Sequence, residues 1–423
     1  MEKIIIDKLD SNAIGVGRFK GRPNLCAGVL PDEEIEILER ESYAKYDKVT
    51  SFRLLSISKN RIDAPCKYYK ECGGCSLQHA NYGFQKEFKI KRVKDFLKHI
   101  ANIEAEDVEY YESLKQFAYR NKIVFAVQDY CCGMYKKDSN DFIPVERCLL
   151  IDDEMNEIYS TISMWIKNEK INLNHIAIRK IEKSFSITLI GEKEPKIHKL
   201  IEILKSKVDK FQIVFNCNNA KKDLITEDIK VLYGENPIYI NNNLKFSVSA
   251  NSFLQVNNNV CEKLYQNVAS LVEDDEVINA YSGAGLLTAI LSKKAKNVFG
   301  VEIVKNAHKN AENLMRSNSI TNAKNYCGKS EDIVPQILNN VTNATLVMDP
   351  PRKGVNKKLS TLINENKKIN KVVYVSCDPN TLARDLRLFS NYKVVKVQVY
   401  NMFPQTHHVE ILVYLEKLKV KEL

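Results

Sequence analysis

The sequence predicts an α/β and β chain in three parts: a small N-terminal β-barrel of the oligonucleotide-binding (OB-like) kind, a mixed α/β central region, and a C-terminal doubly wound, Rossmann-like parallel sheet. Three observations predict it. Five short strand-like runs separated by turn residues occupy positions 1–57, strands and helices mix without a fixed order over 58–256, and from 257 to 423 apolar strands alternate with amphipathic helices. Length agrees, because 423 residues exceed the ~150 usual for one domain.

Composition narrows the class. With 44% hydrophobic and 27% charged residues, and only 15 Gly and 11 Pro, the chain is neither low-complexity nor broadly disordered. No apolar run reaches the ~18 residues of a membrane span, and the start carries no signal-like apolar segment, so a cytoplasmic protein is expected. Eleven cysteines in such a chain point to metal binding or catalysis rather than disulfides. The net charge of +10 is concentrated, since residues 59–100 hold ten Lys and Arg against four Asp and Glu. Such a patch suits nucleic acid.

The barrel strands are read at 3–9, 15–19, 25–30, 34–39 and 49–56, from apolar alternation between turns. Cys66-x5-Cys72-Gly-Gly-Cys75 comes after them. A Lys-rich helix over 82–101 is next, with Phe84, Phe88, Val93 and Leu97 expected to face inward. Strands return over 117–151, ending near Cys148, and helix, hairpin, helix and strand succeed them at 154–167, 175–190, 196–208 and 211–215. In the last part, strands are expected at 276–280, 297–301, 344–348, 371–375, 393–400 and 409–415. Only a loop separates the final two, which predicts an antiparallel last strand.

Five motifs carry chemistry. Asn279-Ala-Tyr281-Ser282-Gly283-Ala-Gly285 ends a strand and opens a helix, with Glu302 19 residues after Gly283 at the end of the next strand, the layout of a nucleotide site. Thr288 stands where a dinucleotide fingerprint has its third Gly, which favours S-adenosylmethionine over nicotinamide or flavin. Asp349-Pro350-Pro351-Arg352 ends a later strand, as in nucleobase methyltransferases. Cys377, in Ser376-Cys377-Asp378-Pro379, lies at the next strand end, where a thiol can act as nucleophile if its pKa is lowered. Glu410, in His407-His408-Val409-Glu410, can serve as general base. The two histidines, read at the start of a strand, are expected to point to opposite faces. Cys66, Cys72, Cys75 and the distant Cys148 suit an iron–sulfur cluster, with structural zinc as the competing reading.

In this order, and together with Phe253-Leu-Gln255-Val-Asn257, these motifs resemble the RNA 5-methyluridine methyltransferases, most of all the 23S rRNA (uracil-5-)-methyltransferase branch with an N-terminal TRAM barrel and a 4Fe-4S cluster. The resemblance spans essentially the whole chain. It implies that Gln255, Tyr281, Glu302 and Asp349 contact S-adenosylmethionine, that Cys377 is the nucleophile and Glu410 the base, and that Cys66, Cys72, Cys75 and Cys148 hold the cluster. Asn279, Ser282 and Asp378 depart from the residues usual in that family. The implied reaction methylates carbon 5 of a flipped-out uridine through a Cys377 adduct at carbon 6, in 23S rRNA, with tRNA as the alternative RNA partner and the protein a monomer. A catalytically inactive RNA-binding protein, an exocyclic-amine methyltransferase and an iron–sulfur redox protein are the rival readings.

Overall fold

The computed structural model describes residues 2–218, 225–226, 228–241, 243–272 and 275–419. Strands Glu2–Leu9, Ile14–Phe19, Arg22–Ala27, Glu34–Ser42 and Asp47–Leu54 close into a five-stranded barrel. Alternation drives this: Ile4, Ile6, Cys26, Ile35 and Val49 point inward and form its core with Val29. Closure leaves no exposed edge. The third strand begins three residues earlier than its apolar run predicts, because Arg22 and Pro23 pair with Phe19 and Arg18 across a tight turn.

The buried carboxylate of Glu33 joins the barrel to the segment around Ser58 and Arg61. It pairs with Arg61 and accepts the N–H groups of Leu30 at 2.7 Å and Ser58 at 3.2 Å. Burial alone would raise this carboxyl, but Arg61 and the two N–H groups hold it below the usual carboxylate range.

The central sheet has seven strands, in the order Ile229–Tyr233, Lys210–Cys217, Ser184–Gly191, His175–Ile181, Lys122–Gln128, Cys131–Tyr135 and Phe142–Pro144. Helices Asp153–Glu169 and His198–Lys205 bury Met155, Ile158, Ile162, Trp165, Leu200 and Leu204 in one core with it. Each such side chain contributes roughly 1.5–3 kcal/mol. Asp152 caps the longer helix by accepting the Met155 N–H at 2.9 Å.

The C-terminal sheet has eight strands, in the order Ala323–Cys327, Asn297–Glu302, Glu276–Ala280, Ala344–Met348, Ile369–Ser376, Glu410–Lys417, Tyr392–Tyr400 and Val108–Tyr111. The first five run parallel. As expected, the last strand of the chain is antiparallel, inserted between two neighbours. The strand Val108–Tyr111 is a surprise: it comes from the middle of the chain and pairs in parallel with the sheet's edge, residue 397 opposite 108.

The Lys-rich helix spans Tyr82–Phe96 and ends in a wider turn, Leu97–Ala101, closed by Asn102 at a φ of 58°. Val93 and Leu97 face inward as predicted, but Phe84 and Phe88 do not. They line an open groove against the barrel. The buried stripe is Gln85, Lys89, Val93 and Leu97, successive i+4 positions one residue round from the phenylalanines. Its two polar members bond to the 401–408 loop: Lys89 Nζ donates to Asn401 Oδ1 at 2.6 Å and to the Phe403 carbonyl at 3.0 Å. Much of the basic patch is engaged locally, in pairs such as Lys86 with Glu112 and Lys91 with Asp95. No helix among the described residues is long and apolar enough to cross a membrane.

Candidate active site and thiol-lined cavity

The parallel strands all end on one edge of the sheet, and there a cavity of about 720 Å³ opens. Gln255, Tyr281, Glu302, Asp349, Cys377 and Glu410 all line it. Residues far apart in sequence thus share one pocket of ligand size.

The turn after strand Glu276–Ala280 is built for close approach. Tyr281, Gly283 and Gly285 all have positive φ, of 60°, 55° and 84°. A Cβ on Gly285 would lie 2.6 Å from Ala311 Cβ, so the turn packs directly on a neighbouring helix. Asn279 donates to Thr288 Oγ1 at 2.9 Å. The departure at 279 and the missing third glycine are therefore partners. Glu302 accepts the Gly283 N–H at 2.8 Å and the Val304 N–H at 2.7 Å, which ties the two strand ends together.

Gln255 reaches the pocket from the segment before the C-terminal sheet. Its carbonyl accepts from Asn121 Nδ2 at 2.8 Å, and the Asn121 N–H donates to the Val256 carbonyl at 2.8 Å. The loop after Asp349 is held from below: buried Asp385 accepts the Val355 N–H at 2.8 Å and the Tyr374 hydroxyl at 2.7 Å. Asp378 caps the helix Pro379–Leu386 through Thr381 N–H at 2.8 Å, so this departure has a structural use.

Electrostatics single out three groups. Desolvation pushes Asp349 up to about 7. Glu410 is only 2% exposed; burial, and secondly the Asp349 charge, push it well above the carboxylate range, while Arg352 pulls against them. Burial, then Glu410, raises the Cys377 thiol to about 11, with Arg352 again opposing. A positive charge placed here would favour the charged form of each group, as Arg352 already does for Glu410 and Cys377.

Cys66, Cys72, Cys75 and Cys148 line a second cavity, of about 440 Å³. Arg120, Lys122 and Arg147 also line it, and no carboxylate does. Burial raises Cys75 to about 12 and Cys148 to about 11, with the neighbouring thiols adding to it. Among the described residues no group of three or more His, Cys, Asp or Glu side chains is gathered as a metal ion requires.

The sequence pattern assigns no role to Arg120 and His408, which line both cavities and separate them. Arg120 precedes a strand in the middle of the chain, so no local pattern links it to either motif. The expectation that His407 and His408 point to opposite faces does not hold, since their rings lie 4.1 Å apart. They sit in a loop, before the strand begins, so strand alternation does not apply.

The tRNA (uracil-5-)-methyltransferase family matches residues 81–418. The chain is 34% identical to an uncharacterized RNA methyltransferase of Clostridium acetobutylicum, over 98% of this chain and 97% of that one. It is 34% identical to another of Listeria innocua, over 98% and 97%. Among solved structures, the tRNA (uracil-54, C5)-methyltransferase of Pyrococcus abyssi, in complex with S-adenosyl-L-homocysteine, superposes with a TM-score of 0.80 at 25% identity, covering 98% of this chain and 100% of that one.

Proposed function

This chain belongs to the tRNA (uracil-5-)-methyltransferase family, and we propose that it transfers a methyl group from S-adenosylmethionine to carbon 5 of a uridine in 23S rRNA through a Cys377 adduct. The observation that carries the reading is the meeting of Cys377, Glu410 and Asp349 with Gln255, Tyr281 and Glu302 in one cavity. A donor bearing a sulfonium cation suits that cavity's raised carboxyls, and the pocket is large enough for it.

Each residue then has a task. Glu302 takes the ribose hydroxyls, Tyr281 and Gln255 the rest of the donor, and Asp349 faces the cation. The Cys377 thiolate adds to carbon 6 of uracil, forming an S–C bond and pushing electrons onto carbon 5. Carbon 5 attacks the methyl carbon; the S–CH3 bond breaks and its electrons stay on the departing sulfur. Glu410 takes the carbon 5 proton, the 5,6 double bond re-forms and the S–C bond to Cys377 breaks. Arg352 eases ionisation of Cys377 and Glu410. The target base must leave its stack to reach this depth.

The cluster reading rests on the resemblance: Cys66, Cys72, Cys75 and Cys148 line one cavity together with Arg120 and Arg147 and no carboxylate, a lining that suits an anionic 4Fe-4S cluster. Such a cluster would pin the 66–75 segment to Cys148, and no methyl-transfer step passes through it. The proposed domains are 1–57, a TRAM-like barrel that grips RNA together with the basic segment; 58–256; and 257–423, the methyltransferase.

By resemblance alone, the barrel and the cysteine set favour 23S rRNA. A second reading, tRNA, is favoured by the likeness to the Pyrococcus abyssi enzyme. Nucleoside mass spectrometry on unmodified 23S rRNA and tRNA transcripts, incubated with donor and anaerobically purified protein, decides. 5-Methyluridine in the ribosomal transcript alone is expected. Its appearance in tRNA alone replaces the substrate, and its absence from both overturns the reading.

A further inference from the structure

The loop 401–408 connects strand Tyr392–Tyr400 to strand Glu410–Lys417 and forms part of the partition between the two cavities: Thr406 and His408 face the thiols, while Phe403 and His408 face the methyl-transfer pocket. It is clamped from the cysteine side. The N–H groups of Ser76 and Leu77, directly after Cys75, both donate to the Gln405 carbonyl at 3.0 Å. The Ser76 hydroxyl accepts the His407 N–H at 2.9 Å and lies 3.1 Å from His407 Nδ1.

From the helix side, Gln85 and Gln405 exchange two bonds: Gln85 Nε2 donates to Gln405 Oε1 at 3.1 Å, and the Gln405 N–H donates to Gln85 Oε1 at 3.0 Å. Gln405 is 3% exposed and holds a φ of 68°, a conformation that a non-glycine residue keeps only when its surroundings impose it. The Tyr119 hydroxyl adds a bond to the Pro404 carbonyl at 3.1 Å. A strained residue held by four hydrogen bonds, two residues from a pocket wall and five from a buried carboxyl, marks a place where geometry is being set.

We propose that Ser76 and Gln405 are positioning residues for proton abstraction, locking the 401–408 loop so that His408 and Glu410 present a fixed face to the methylated uracil adduct. This rests on the reading of Cys377 as nucleophile and Glu410 as base. The clamp acts after methyl transfer. Donor binding, which in that reading uses Tyr281 and Glu302, does not depend on it.

The test uses anaerobically purified full-length protein, a transcript it methylates, and donor labelled in the methyl group. The fraction of label in a denaturation-resistant protein–RNA adduct is measured beside kcat and the KM for donor. In Ser76→Ala, kcat falls about tenfold or more, the KM for donor stays within about twofold of wild type, and the labelled adduct accumulates. Ser76→Thr, which keeps the hydroxyl, restores turnover.

Gln405→Gly accepts the positive φ but loses the side-chain bond to Gln85, and it carries the same prediction where Ser76→Ala does not fold. Wild-type kcat and adduct level in both variants overturn the proposal, as does a lowered kcat without adduct. Glu410→Gln is the control for the underlying reading: if it accumulates no labelled adduct, that reading fails, and the clamp proposal with it.

Discussion

Glu302 accepts the backbone N–H of Gly283 at 2.8 Å and that of Val304 at 2.7 Å, so one carboxylate joins the glycine turn to the end of the next strand. The side chain proposed to take the donor's ribose hydroxyls therefore also shapes the glycine turn. Each oxygen keeps a second lone pair for a hydroxyl. Glu302→Gln, in which one oxygen becomes an NH2 facing an N–H donor, is expected to weaken S-adenosylmethionine binding at least tenfold, about 1.4 kcal/mol, as measured by calorimetry. Unchanged affinity would show that the turn forms without this carboxylate and that the ribose lies elsewhere.

The raised carboxyls predict proton release on donor binding. Asp349 is held near 7 and Glu410 is raised well above its ordinary value, so both carry protons in the free enzyme below neutrality. A sulfonium cation favours the carboxylates. Affinity therefore rises as pH climbs toward about 7, and calorimetry in two buffers of different ionisation heat shows protons leaving the protein in mildly acidic solution. Equal heats in the two buffers contradict this.

The barrel's attachment depends on Glu33 and Arg61. Removing Arg61 leaves a buried carboxylate without its cation, which costs about 3 kcal/mol. Arg61→Ala is expected to lower the thermal midpoint at neutral pH. Because the folded pKa of Glu33 lies below its ordinary value of 4.5, the stabilisation in the wild type is fully present above that value and is lost as pH falls through the folded pKa. The variant and the wild type should thus converge in acid. A constant gap from neutral pH into acid would assign the loss to packing instead.

Much of this was legible in the sequence, for physical reasons that differ by region. Strand-end motifs such as Asp349-Pro-Pro and Ser376-Cys377 could be placed because parallel α/β sheets put their carboxyl ends on one edge, so order along the chain implies proximity. The barrel was legible from alternation. The strand Val108–Tyr111 was not, since its partner lies nearly 300 residues away and four residues carry little pattern. The inward face of the Lys-rich helix differs from its apolar pattern for another reason. Phenylalanine is ordinarily core, yet Gln85 and Lys89 are buried here because the 401–408 loop offers them carbonyls and amides.

The thiol cavity predicts bound iron. Anaerobically purified protein should show broad visible absorbance and contain iron, and Cys66→Ser should lose both. Zinc in place of iron, with no visible absorbance, would assign the four thiols to a structural ion.

Cys377 is the residue on which the proposed chemistry depends, and trapping its adduct tests that chemistry most directly. A transcript bearing 5-fluorouridine at the target position accepts the methyl group but offers no proton at carbon 5 for Glu410 to remove, so the S–C bond cannot break. Peptide mass spectrometry of protein incubated with this RNA and S-adenosylmethionine should find a methylated fluorouridine nucleotide on the peptide carrying Cys377, and none in Cys377→Ala. An adduct on another residue, or continued 5-methyluridine formation by Cys377→Ala on ordinary RNA, would contradict the mechanism.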